Sequence, residues 1–128
     1  MELRLPELEV LDDVERSCLS RYLALLVETI GEELVEVVLF GSVARNERWP
    51  RGMPIRSDLD LLVVTDASLP EHTTTALVDA TLPLFLESGR QIGPQFRTRR
   101  QLEHPRDRRN ASFLESVRRE GVGLYRRG

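Results

Sequence analysis

Two short apolar runs constrain the fold most: Leu34–Phe40 (LVEVVLF) and Asp58–Thr65 (DLDLLVVT). Both are rich in leucine and valine and too short for a core helix, so each reads as a buried strand. Buried strands need cover, and the flanking segments offer it as helices. Leu11, Val14, Cys18, Leu19, Tyr22, Leu25, Leu26 and Ile30 recur at three- and four-residue steps, which predicts an amphipathic helix from about residue 8 to 32 ending near Gly31. The first strand should stop at Gly41-Ser42, where a short helix is expected to begin. Residues 46–56 hold two prolines and a glycine among charged residues and read as an exposed loop. A helix is expected from Pro70 toward Gly89, kinked or split near Leu82 by Pro83. Gln91–Thr98 reads as a third strand, and its Gly93-Pro94 pair suits an edge or a bulge better than a central place. A short helix over Asn110–Glu120 and an extended tail over Gly121–Tyr125 complete the chain. The expected architecture is α/β (α+β): one domain over residues 1–128, with a small mixed sheet and flanking helices.

Charge and cysteine usage narrow the function classes. Residues 1–89 carry 17 acids and 7 arginines, whereas residues 90–128 carry 4 acids and 11 arginines. Every basic residue apart from the two histidines is arginine, which removes lysine nucleophiles, Schiff bases and a P-loop lysine. Cys18 is the only cysteine; it excludes an internal disulfide and a cysteine zinc cluster, and is expected to be a buried thiol in a reducing cytoplasm. No apolar run approaches the about 18 residues of a membrane span. His72 and His104 lack metal-ligand spacing. The arginine run from Arg97 to Arg109 has only Phe96 as an adjacent aromatic, so a solvated face is expected there rather than nucleic-acid binding.

The chemistry is concentrated in Phe40-Gly41-Ser42-Val43-Ala44-Arg45-Asn46 and Ser57-Asp58-Leu59-Asp60-Leu61-Leu62-Val63. Side chains alternate along a strand, so Asp58 and Asp60 share a face about 7 Å apart while Leu59 and Leu61 enter the core. Two like charges placed so repel, and a divalent cation relieves the repulsion; hard oxygen ligands favour magnesium or manganese. A strand that ends in Gly-Ser and enters a helix aims unpaired backbone N–H groups outward, where a phosphate can approach glycine closely. A phosphate cradle beside a two-carboxylate metal site is what nucleotidyl transfer requires.

GSVARN at 41–46 followed by SDLDLLVV at 57–64 resembles the GSxARG and SDxDLxV signature of minimal nucleotidyltransferases in the DNA polymerase beta superfamily. Residues 113–125 (FLESVRREGVGLY) are similar to the C-terminal helix and tail of such domains, so the resemblance spans most of the chain. It implies that Gly41 and Ser42 bind the phosphates of a nucleotide triphosphate. Asp58 and Asp60 would be catalytic and hold magnesium, two ions in an active site. Ser57 would orient the loop before the strand, and Arg45 would serve either a structural ion pair or a phosphate contact. Asn46 stands where the family has glycine, and the long interval before Asp58 makes the loop holding Trp49 an insertion.

Active members usually carry a third carboxylate on the next strand. This chain has no acid between Glu87 and Glu103, and by position Gln91 is the expected counterpart, an amide that cannot act as a base. The resemblance implies a cytoplasmic antitoxin partner of a helical HEPN-type toxin, in a hetero-oligomer. As an enzyme it would transfer an NMP group, AMP foremost, to a hydroxyl of that partner. The alternative is a catalytically degenerate nucleotide-binding module that neutralises the partner by contact.

Overall fold

The computed structural model describes residues 2–3, 11–41, 58–104 and 108–128. Within them lie β1 (Glu2–Leu3), α1 (Asp13–Ile30), β2 (Leu34–Phe40), β3 (Leu59–Thr65), α2 (Glu71–Asp79), α3 (Thr81–Ser88), β4 (Ile92–Thr98), α4 (Arg99–Glu103), α5 (Arg108–Glu120) and β5 (Val122–Arg126). The strands form one sheet in the order β1-β5-β2-β3-β4. β3 and β4 are parallel and the other pairs antiparallel, so the sheet is mixed as expected. Parallel neighbours need a crossover, and α2 and α3 supply it.

Local chemistry sets the element ends. α1 begins later than periodicity alone predicts, because the Asp12 carboxylate accepts from the Glu15 backbone N–H while the Glu15 side chain accepts from the Asp12 N–H, a reciprocal capping box. Residues 8–10 of the expected helix lie outside the described residues. The helix ends at Gly31, whose φ of 70° suits glycine, and a 3₁₀ turn over Gly31–Glu33 leads into β2. The expected split near Leu82 falls at Ala80 instead. Pro83 sits in the first turn of α3, and its ring would clash with the carbonyl four residues back, at Asp79, if α2 continued through it.

β4 is the sheet edge, as Gly93-Pro94 suggested. The Leu59 N–H donates to the Gln91 carbonyl at 2.8 Å, so alternation turns the nitrogen of position 94 away from β3, where proline loses no bond. Three elements escaped the sequence reading: β1, α4 and β5. α4 starts with a second capping box, in which the Thr98 hydroxyl accepts from the Gln101 N–H and the Gln101 side chain accepts from the Thr98 N–H. The expected extended tail is β5, an interior strand between β1 and β2. Before it, a Cβ on Gly121 would stand 2.3 Å from the Val117 carbonyl oxygen and 2.5 Å from the Val38 side chain, so only glycine lets α5 lie this close to β2.

The sheet carries an apolar layer on each face. Leu59, Leu61 and Val63 of β3 join Leu19, Tyr22, Leu23 and Leu26 of α1 in the larger core, with Leu77 of α2 and Ile92 of β4. Leu62 and Val64 pack on the other face with Leu114 and Val117 of α5. Cys18 is buried as expected. The Tyr22 hydroxyl donates to the Leu77 carbonyl at 2.7 Å, and burial raises its pKa. Beneath this layer Glu15 pairs with Arg90 at 2.7 Å, the two side chains only 1% and 4% exposed, joining the start of α1 to the entry into β4.

Candidate active site

β2 and β3 bring the site together. Their register pairs Phe40 with Asp60 and Leu39 with Leu61, so the end of β2 stands beside the start of β3. Leu59, Leu61 and Val63 occupy the α1-side core, as the alternation predicts, and this leaves Asp58 and Asp60 on the face that carries α5. Asp58 is exposed and Asp60 half-buried.

Glycines shape the space around the carboxylates. Gly41 leaves β2 with φ 83°, and a Cβ there would stand 2.7 Å from Asp60 Oδ2. Gly93 is the register partner of Asp60 on β4; a Cβ there would stand 3.5 Å from Asp60 Oδ1 and 3.9 Å from Asp58 Oδ2. Asp60 is therefore seated between two positions without side chains. Its pKa is raised, first by burial and then by the charge of Asp58. An anionic pair on a partly desolvated face, flanked by two glycines, has the hard-oxygen chemistry that a divalent cation requires. Asp58 and Asp60 are the residues that would hold the cation. No group of three or more metal-ligating side chains occurs among the described residues.

The position expected for Gln91 is corrected. Its amide Nε2 donates to Thr81 Oγ1 at 3.0 Å and to the Ile92 carbonyl at 2.9 Å, which holds the side chain toward α3. The parallel register instead places Gly93 beside Asp60. Counting from the first residue of the apolar run missed this, because the relevant position is set by pairing with β3. Gly93 has no positive φ, so its backbone accepts any side chain; what β4 lacks beside Asp60 is a side chain of any kind. Ser42, Arg45, Trp49 and Ser57, together with the short helix and loop expected around them, lie outside the described residues.

The family model described as "Nucleotidyltransferase domain" matches residues 21–118. Comparison with curated protein sequences gives no significant match. Among solved structures, one described as a minimal nucleotidyltransferase is 29% identical, covering 87% of this chain and 95% of that one with a TM-score of 0.50. A tri-AMPylated Shewanella oneidensis HEPN toxin in complex with MNT antitoxin gives 16% identity, 88% and 72% coverage and a TM-score of 0.52. A toxin-antitoxin structure with AMP-PNP gives 15% identity, 84% and 73% coverage and a TM-score of 0.52. At such identities the last two show likeness of fold. The family model spans both β2 and β3 with their Gly41 and Asp58–Asp60 segments, and the chain belongs to the nucleotidyltransferase domain family.

Proposed function

We propose that the chain binds a magnesium–nucleotide triphosphate through Asp58, Asp60 and the Gly41-Ser42 turn, and acts as the antitoxin-type nucleotidyltransferase partner of a helical HEPN-type protein, transferring an NMP group, AMP foremost, to a partner hydroxyl. The observation that carries this reading is the convergence of Asp58, Asp60 and Gly41 at one end of the β2–β3 pair. The likeness in fold to complexes of MNT antitoxin with HEPN toxin supports the partner class. Bound magnesium supplies charge neutralisation at the phosphates and the leaving pyrophosphate. The protein's own part is to orient and to keep space: Asp60 sits between Gly41 and Gly93, and the missing side chain at Gly41 leaves the Asp60 carboxylate its place. Ser42 would add a hydroxyl donor, Ser57 would orient the loop before the strand, and Arg45 would make either an ion pair or a phosphate contact.

A second reading rests on Gly93. With Gly93 in register beside Asp60, β4 offers no carboxylate there to act as base for the acceptor hydroxyl, which favours a nucleotide-binding module that neutralises its partner by contact. Incubating the chain with labelled ATP, magnesium and a candidate HEPN-type protein separates the two. Transfer reads as label on the partner, lost in Asp58→Asn/Asp60→Asn. Nucleotide binding and complex formation without label assign the contact mechanism, and label that survives the double substitution overturns the site.

A further inference from the structure

We propose that the groove between β4, α4 and α5 binds the phosphodiester backbone of a single-stranded nucleic acid. The groove has a volume of about 760 Å³, and its lining includes Arg97, Arg100, His104, Gln101 and Phe113. No carboxylate lies among its described lining residues. Arg97 is held in place, because its Nη1 donates to the Phe96 carbonyl at 2.8 Å. Alternation from Gly93 through Gln95 puts Arg97 on the face that carries Asp58 and Asp60, about 13 Å farther along the sheet.

The basic character continues around α4. Leu102 also lines a second groove of about 290 Å³ with Arg99, Arg118, Arg126 and Arg127; Glu36 and Glu103 line it too, and Asp66 pairs with Arg99 and Arg127. With Arg99 and Arg127 engaged by Asp66, the basic character rests on Arg97 and Arg100 in the first groove and on Arg118 and Arg126 in the second, a strip extended enough to follow several phosphates rather than one. Phe113 answers the objection that the arginine run lacks an aromatic neighbour. It comes from α5, four residues beyond the end of that run, is half-buried, and is braced edge-on by Phe40 with ring centroids 5.2 Å apart. Arginine forks for phosphates, polar amide and imidazole groups and a braced aromatic wall are the elements of sequence-tolerant single-strand recognition. A protein partner would instead be expected to find an apolar centre with a polar rim.

This inference stands apart from nucleotide transfer, and its binding titration contains no magnesium or nucleotide triphosphate, ATP entering only as a competitor afterwards. Fluorescence anisotropy of labelled single-stranded RNA and DNA of about 16 nucleotides is titrated with the full chain between about 50 and about 200 mM salt. Expected is salt-dependent binding that Arg97→Gln/Arg100→Gln weakens at least about tenfold, with the log–log salt slope reduced by about 1.4 for two lost phosphate contacts. Arg21→Gln, on α1 at the other face, should stay within about twofold of the wild type. Binding of RNA alone, DNA alone or both supports the proposal and names the source of the phosphodiester. Absence of binding at the lowest salt overturns it, as does equal affinity in a folded Arg97→Gln/Arg100→Gln protein. Displacement by ATP or an acidic peptide as efficient as by unlabelled oligonucleotide also overturns it.

Discussion

Gly93 on β4 lies in register with Asp60 on β3, and a Cβ on the glycine would stand 3.5 Å from Asp60 Oδ1. That relationship fixes where a third carboxylate could enter this site. Gly93→Asp should place a new acid against both Asp58 and Asp60. Without metal, three like charges should lower the thermal midpoint; with magnesium, the gain in midpoint should exceed that of the wild type. Thermal unfolding with and without magnesium measures both, and labelled transfer should rise if a base is what the chain lacks. Gln91→Asp should do neither, since position 91 is directed toward Thr81. An equal metal-dependent gain in Gln91→Asp would contradict the register argument.

Gly41 combines two constraints that its fellow positive-φ glycines do not. At Gly31 and Gly89 a Cβ would meet nothing within 4 Å, whereas at Gly41 it would press on Asp60 Oδ2 at 2.7 Å. Alanine at 89 should cost the left-handed strain of about 1–2 kcal/mol, and alanine at 31, whose φ of 70° and ψ of −137° lie outside that region, about 1–3 kcal/mol. Gly41→Ala should cost at least as much and also displace Asp60, weakening nucleotide binding, which the other two should leave unchanged. Urea unfolding alongside nucleotide calorimetry on the three variants tests the distinction.

Asp60 should govern the acid limb of metal binding. Its pKa is raised by burial and by Asp58, so its carboxylate is lost at a higher pH than an ordinary aspartate, and magnesium–nucleotide affinity should fall with it. For stability the sign is opposite: a raised carboxylate contributes most below its unfolded value near 3.8, and the contribution is lost as pH rises through the folded pKa. Asp60→Asn should therefore be at least as stable as wild type at neutral pH while binding metal poorly. Asp58→Asn should lower the Asp60 pKa, because it removes the neighbouring charge. Carbon-detected NMR titration of the Asp60 carboxyl reads this directly; no change on removing Asp58 would contradict the coupling.

The Glu15–Arg90 pair, almost fully buried, should be costly to break from one side. Glu15→Gln or Arg90→Met leaves a buried group without its opposite charge, at about 3–5 kcal/mol. The double variant Glu15→Gln/Arg90→Met should recover part of that loss. A double-mutant cycle from denaturant midpoints measures the coupling, and strictly additive losses would contradict a direct pair.

Much of this architecture was legible because it is locally encoded. Apolar runs gave β2 and β3, Gly41 marked the end of β2, and alternation put Asp58 and Asp60 on the face opposite Leu59 and Leu61. What escaped depends on contacts distant in sequence. β5 looks like a tail until it pairs with β2, and the role of Gly93 exists only through the parallel register with β3. Glu15 and Arg90 each resemble solvated surface residues until the fold buries them together. The capping box that starts α4 was readable in Thr98 and Gln101, but it was hidden within the arginine run.

The account depends most on Asp58 and Asp60 forming one cation-dependent nucleotide site. Calorimetry of ATP binding in magnesium, on the wild type and on Asp58→Asn/Asp60→Asn, tests this most directly. The account predicts measurable affinity in the wild type, abolished by chelation, and a loss of at least about tenfold in a double variant that remains folded. Equal affinity in the two proteins, or binding indifferent to magnesium, would contradict it.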